Sequence, residues 1–289
     1  MSAPTGGGET APRMDLRTPD PESIPVRDAA TVMVLRDGPE GLEVCMLRRN
    51  LRSDFVGGAY VFPGGGVDPE DAHDDLADVV AGLDDATASL QVEVDAGGLA
   101  FWVAAIRECF EEAGLLLAYD ADGRIIRFDE PALAARFVEH RRQVDNGERR
   151  LVEVCAAESL CLAADGIHYF SRWITPLGAP RRYDTRFFVT AAPEGQVPVH
   201  DDREVIEATW IRPVDALQRH RDGLFEMIFP TVRTLEALAR FDSAGAVLEH
   251  AAQIGRIEPI LPRIVEADGG LRIVLPGDRQ FDAITSEPI

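Results

Sequence analysis

The sequence predicts an α/β fold, and three observations carry the prediction. Short apolar runs rich in β-branched residues, at 29–35 (AATVMVL) and 42–47 (LEVCML), read as strands separated by the turn cluster at 37–41. Residues 99–106 (LAFWVAAI) are apolar on every side, which at about 3.6 residues per turn makes a buried helix. Downstream, strand-like segments at 167–176, 181–190 and 205–211 alternate with helical ones at 131–144, 151–163 and from Pro213 onward.

Composition narrows the function classes. The 289 residues can bury a sizeable core, and 46% hydrophobic with 27% charged residues is ordinary for a globular chain. Fifty acidic against 29 basic residues leave a net charge of −21, which disfavours nucleic acid and anionic membranes as partners. Every basic residue is arginine; the absence of lysine excludes a P-loop lysine, a Schiff-base lysine and a kinase strand lysine together. Phosphate must then be handled by arginine, backbone amides or metal. Cys45, Cys109, Cys155 and Cys161 form no C-x-x-C pair or zinc-finger spacing and read as reduced thiols of a cytoplasmic protein. No run of eighteen apolar residues and no signal pattern is present, so neither a membrane span nor export is expected.

Residues 1–25, rich in Gly, Pro, Thr and acidic residues, are expected to be a disordered tail, and 26–289 one domain. After the first two strands come Arg48, Arg49 and Arg52, which read either as phosphate clamps or as a solubilising loop. A short strand at 59–62 enters the glycine turn Gly64-Gly65-Gly66. Residues 71–98 hold an amphipathic helix by the spacing of Ala72, Leu76, Val79, Val80 and Leu83, and a Gly97-Gly98 hinge. From residue 68 to 95 there are ten acidic residues and no arginine, so this segment reads as a flap over a pocket, a surface against a second copy in a homodimer, or a solvated excursion, the last being favoured. Alternation in 181–190 puts Arg182, Asp184 and Arg186 on one face, either against substrate or in a plain edge strand with internal ion pairs. An acidic loop with Asp201, Asp202, Glu204 and Glu207 leads into the strand at 205–211. Residues 216–289 extend the domain, with helices at 230–240 and 244–254 and a hairpin at 263–275 turning on Asp268-Gly269-Gly270.

The chemistry gathers at the end of the buried helix. Arg107, Glu108, Glu111 and Glu112 arrive within six residues, and Gly114 stops the helix. Glu108, Glu111 and Glu112 stand at i, i+3 and i+4 and share one face. Such a triplet is commonly a solvated face; on a buried helix, two charges about 4 Å apart repel by roughly 4 kcal/mol at an effective dielectric near 20, which calls for a cation. Oxygen ligands select a hard ion, Mg²⁺ or Mn²⁺.

Read together, Gly64-x5-Glu70 and Arg107-Glu108-x-x-Glu111-Glu112-x-Gly114-Leu115 resemble the signature of the Nudix hydrolases, split by a long insertion. WITP, RRYDTRFF and LPR…GGLRIVLPGD make the chain similar, over roughly residues 26–280, to the insert-bearing subgroup that includes the coenzyme A diphosphatase of mammals. The resemblance implies an α/β/α sandwich with a mixed sheet and hydrolysis of a nucleoside diphosphate linked to another group. It implies Mg²⁺ or Mn²⁺ held by Glu108, Glu111, Glu112 and a turn carbonyl such as that of Gly65. Arg107 would steady the carboxylates and itself be steadied by Glu70, and Glu204 or a motif glutamate would act as base. Coenzyme A is the first substrate to expect, with ADP-ribose, NADH and dinucleoside polyphosphates as the alternative and a non-catalytic ligand-binding module behind them. The C-terminal Ser286-Glu287-Pro288-Ile289 is not a peroxisomal signal, which keeps the expected compartment cytoplasmic.

Overall fold

The computed structural model describes residues 24–51, 57–200, 203–267 and 270–276. Residues 1–23 of the expected tail (1–25), Arg52, Asp201 and Asp202, and the Asp268-Gly269 turn lie outside them, while Ile24 and Pro25 are described. Its strands are β1 (Val26–Gly38), β2 (Gly41–Arg49), β3 (Tyr60–Val61), β4 (Gly64–Gly66), β5 (Ala118–Tyr119), β6 (Cys161–Leu162), β7 (Ile167–Ile174), β8 (Arg182–Ala191), β9 (Val205–Ile211), β10 (Arg263–Ala267) and β11 (Gly270–Val274). The helices are α1 (Asp85–Val92), α2 (Leu99–Ala113), α3 (Pro131–Asp145), α4 (Leu151–Glu158), α5 (Pro213–Arg221), α6 (Phe229–Leu238) and α7 (Ala244–Ala252).

The α/β expectation holds. Five strands run in the order β3-β2-β1-β8-β7, with β4 added on β1 and β9 on β2. The hairpin between β1 and β2 closes with Gly38 opposite Gly41, so the turn cluster read from the sequence is the turn. Pairing of β1 continues with β4, Ala30 opposite Gly65, which brings the glycine turn to the sheet. The described residues form two compact units, one within 28–172 and 185–258, the other within 24–27, 173–184 and 259–276. In the smaller unit Ile174 N donates to Ile260 O at 2.9 Å, and β10 pairs antiparallel with β11, as the expected hairpin requires.

The larger unit is built around α2. Twelve of its fifteen residues are buried, consistent with an apolar sequence on every side. Trp102 fixes it by donating from Nε1 to Ile167 O at 2.9 Å and packing on Phe188 at 4.7 Å. One expectation fails here. The helix read over 151–163 ends at Glu158 because Ser159 turns left-handed (φ 55°), and the chain then forms β6, which pairs with β5.

The insertion lacks the expected amphipathic helix, and it is not a wholly solvated excursion. It folds as two 3-10 turns (Pro69–Ala72 and Asp74–Val79) and then α1, burying Leu76, Ala88 and Val92. Asp84, directly after the apolar series, caps α1 through Thr87 N at 2.7 Å, as short acidic residues favour helix starts. Asp85 then reaches forward to the start of α2, accepting from Gly97 N and Leu99 N at 3.0 Å each, while Ser89 Oγ accepts from Gly98 N at 2.9 Å. A Cβ on Gly98 would sit 2.3 Å from Ser89 backbone, so this glycine allows close approach rather than a hinge. The insertion thus supplies three acceptors for the open amides of the buried helix.

Candidate active site

Arg107 sits at the centre, its side chain 11% exposed. Nε and one terminal nitrogen grip both oxygens of Asp71 at 2.9 and 2.8 Å, and the latter also donates to Gly66 O at 2.9 Å. The other terminal nitrogen bridges Glu108 Oε1 at 2.9 Å and Glu111 Oε2 at 3.0 Å. Burial lowers the proton affinity of this guanidinium, but Asp71, Glu108 and Glu111 more than reverse that.

This corrects one sequence expectation. Asp71, with a side chain only 3% exposed, is the anchor, and Glu70 is exposed beside a cavity of about 90 Å³ that Arg149 and Arg150 also line. Glycine-x5-acid occurs twice in overlapping register, Gly64 to Glu70 and Gly65 to Asp71. The side-chain space decides: a Cβ on Gly65 would fall 2.4 Å from Glu108 Oε1, so Gly65 is the glycine against which the carboxylates close. Asp71 also accepts from Asp68 N at 2.8 Å, capping its own turn, which holds the carboxylate at the height of Arg107.

The three helix carboxylates divide. Glu112, 6% exposed, accepts from Gly64 N at 2.9 Å, and Glu108 lies against Gly65. Glu111 faces Arg107 and the small cavity. Burial raises all three, Glu111 to about 7 and Glu112 to about 8, with the neighbouring Glu108 charge adding to both. Among the described residues no three His, Cys, Asp or Glu side chains are arranged to hold an ion, because Glu108 and Glu111 are turned onto Arg107. The donors are nonetheless all oxygen, buried and short of positive charge, which is the chemistry of a hard divalent cation.

Arg48 and Arg49 stand where the register of β2 against β9 shifts, a bulge that re-aims side chains. Arg49 acts on Glu112 electrostatically, and Arg48 pairs with Glu207 at 3.7 Å with its guanidinium 5.6 Å over the Tyr60 ring. The Nε atoms of both are buried without a hydrogen-bond partner, an arrangement that suits an incoming anion. The loop of Glu204 is tied to β2, since Asn50 N donates to Glu204 O and Asn50 Nδ2 to Arg203 O, both at 2.8 Å. Glu204 raises the proton affinity of Glu112, which puts it in electrostatic reach of the carboxylates.

Arg186 is built into the interior of the larger unit. It is 2% exposed, paired with Asp28 at 2.7 Å, with its guanidinium 4.2 Å over Phe101, so the internal ion-pair reading of β8 holds at this position. Arg182 belongs to the smaller unit, where its Nε donates to Thr175 O at 3.2 Å.

Sequence reading missed Asp71, Asp85 and Arg141. Arg141 on α3 donates to Glu111 O at 2.8 Å and Glu112 O at 3.0 Å, closing the carbonyl end of α2 behind Gly114, whose φ is 68°. The glycine spacing contained a signal for Asp71; nothing local marks Arg141.

A family model described as the NUDT19 Nudix domain matches residues 88–238, just over half of the chain. The acyl-coenzyme A diphosphatase NUDT19 of Homo sapiens is 28% identical over 278 residues, covering 84% of this chain and 73% of that protein. The protein of the same name from Gallus gallus is 27% identical over 280 residues, covering 84% and 74%. Among solved structures, a NUDIX hydrolase from Alicyclobacillus acidocaldarius aligns with a TM-score of 0.65 at 28% identity, over 82% of this chain and all of that one. No helix among the described residues is long and apolar enough to cross a membrane.

Proposed function

The chain belongs to the NUDT19 Nudix domain family, and from that premise we propose that it hydrolyses the diphosphate bridge of coenzyme A or an acyl-coenzyme A. The observation that carries the reading is the buried Arg107–Asp71 pair, which presents Glu108 and Glu112 to the Gly64-Gly65 turn beside the bulge of Arg48 and Arg49.

Glu108 and Glu112 would hold a divalent cation, Mg²⁺ or Mn²⁺, with Glu111 and the Gly65 carbonyl as the remaining oxygen donors. When bound, the ion neutralises the diphosphate and activates water. Arg107 keeps Glu108 and Glu111 in place and stays off the substrate. Gly64 N–H orients Glu112. Arg49 and Arg48 receive phosphate oxygens through their unfilled Nε–H groups, a task that falls to arginine in a chain without lysine. The Glu204 carboxylate takes the proton of the attacking water, whose oxygen forms a new bond to one phosphorus of the bridge as that phosphorus's bond to the bridging oxygen breaks, the other phosphate leaving with that oxygen. Four free cysteines, three of them buried, fit a cytoplasmic enzyme. A homodimer is compatible with this chemistry and not needed by it.

The test is a hydrolysis screen with Mg²⁺ and Mn²⁺ over coenzyme A, acyl-coenzyme A, ADP-ribose, NADH and diadenosine polyphosphates, with Glu112→Gln as control. Release of 3′,5′-ADP from coenzyme A by the wild type alone supports the reading. Cleavage of ADP-ribose, NADH or a dinucleoside polyphosphate instead would keep the mechanism and replace the substrate. Turnover undiminished in Glu112→Gln would overturn both.

A further inference from the structure

Strand β9 does not meet β2 evenly as the two approach the carboxylates. Arg48 stands opposite Glu207 and Arg49 opposite Val205, so Ile206 bulges between them and the ladder moves on by one residue. The next backbone bond lies outside both strands, with Asn50 N donating to Glu204 O at 2.8 Å. Asn50 then adds a bond from its side chain, Nδ2 donating to Arg203 O at 2.8 Å. One residue thus grips two consecutive carbonyls and lengthens the ladder past the strand ends.

Three element ends hold the segment that carries Glu204. Val199 N donates to Ala113 O at 2.8 Å, at the last residue of α2. Arg203 reaches the end of α3, where one terminal nitrogen donates to Asp145 Oδ2 and to Asn146 Oδ1, both at 2.8 Å. Asn50 is the third tie, at the end of β2. Glu204 is exposed, so the position of its carboxylate depends on the backbone that carries it. A base must stand within hydrogen-bond reach of the water it deprotonates, and a displacement of about 1 Å costs on the order of a hundredfold in rate.

We propose that Asn50 is a positioning residue for the hydrolysis: by holding the carbonyls of Arg203 and Glu204 it fixes where the Glu204 carboxylate stands. The inference rests on the reading of Glu204 as the base and adds the residue that aims it. A side-chain amide suits the task because it donates N–H without charge, whereas Asp at this position would set a carboxylate against the Arg203 carbonyl.

Kinetics of Asn50→Ala, Glu204→Gln and the double variant test the proposal, on coenzyme A or whichever member of the substrate panel the wild type cleaves. Asn50→Ala should lower kcat about tenfold or more with KM within about twofold, and its unfolding midpoint should stay within about 4 °C of the wild type, the loss of one neutral hydrogen bond. The double variant should be no slower than Glu204→Gln alone, because a base that is absent cannot be misplaced. A wild-type kcat in Asn50→Ala beside a slow Glu204→Gln would overturn the inference and leave the base in place. A further loss in the double variant as large as that of Asn50→Ala by itself would overturn it too, since Asn50 would then act elsewhere. Full activity in Glu204→Gln would remove the base and this inference with it. Limited trypsin digestion needs no turnover. The bond after Arg203 has the carbonyl held by Asn50 Nδ2, so Asn50→Ala should speed cleavage there about fivefold, while an unchanged rate would overturn the tether itself.

Discussion

Replacing Asp71 by Asn separates the two registers of the glycine motif. In the wild type the Asp71 carboxylate takes two N–H groups of Arg107 at 2.8–2.9 Å and Asp68 N at 2.8 Å, with only 3% of the side chain exposed. The amide keeps the shape, removes the charge and turns an N–H toward a guanidinium. Breaking a buried pair by removing one partner costs about 3–5 kcal/mol when the survivor is left uncompensated. Arg107 retains Glu108 and Glu111, so the loss lies nearer the roughly 1.5–3 kcal/mol of a charge-assisted bond, and we expect about 2–3 kcal/mol. At about 2–4 °C per kcal/mol for a chain of this size, the midpoint should fall by roughly 4–12 °C. The control is Glu70→Gln at an exposed position, expected to stay within about 0.5 kcal/mol. Urea unfolding of both proteins, without metal, measures the difference. A neutral Asp71→Asn, or a Glu70→Gln that costs as much, would refute the assignment of Asp71 as the anchor.

Further outcomes follow from the same geometry. Asp85→Ala should cost about 1–2 kcal/mol in urea unfolding, the loss expected for a helix cap. The amides of Leu99 and Gly97 hold the Asp85 carboxyl below its usual range, so this stability is present above the unfolded pKa and disappears as pH falls through the folded one; acid titration of wild type and variant should converge at low pH. Burial pushes the thiols of Cys45 and Cys155 up to about 12 and that of Cys109 well above its usual value, so iodoacetamide at pH 8 should modify the half-buried Cys161 first and the other three only on unfolding. Glu108→Gln and Glu112→Gln should each lower kcat by about a hundredfold or more with the circular dichroism spectrum unchanged, because each removes an oxygen ligand; chelation of divalent ions should do the same to the wild type and be reversed by Mg²⁺.

Much of this was legible in the sequence where one segment decides its own conformation. The hairpin of β1 and β2 follows from alternating apolar runs around a glycine turn, and the burial of α2 from eight apolar residues in succession. The carboxylate triplet was legible because helical spacing alone puts Glu108, Glu111 and Glu112 on one turn. What could not be read were choices between near-equal local options. Glu70 and Asp71 both satisfy the motif spacing, and only the clearance at Gly65 separates them. Arg48, Arg182 and Arg186 look alike in sequence, yet one reaches the bulge by the carboxylates, one lines a cavity in the other unit and one is buried on Phe101. The insertion misled because its apolar series at 72–83 folds as short 3-10 turns, while the helix forms after it, from the cap at Asp84.

That insertion ties the fate of two segments together. Asp85 and Ser89 close the open end of α2, so α1 cannot detach without freeing the amides of residues 97–99, and opening of the two should register as one cooperative event in hydrogen exchange. Added or removed residues should therefore be tolerated between Asp71 and Asp84, upstream of the clasp, in an insertion series read by thermal unfolding. Residues gained or lost between Asp85 and Leu99 would shift the catalytic helix by a fraction of a turn and carry the glutamates away from Gly64.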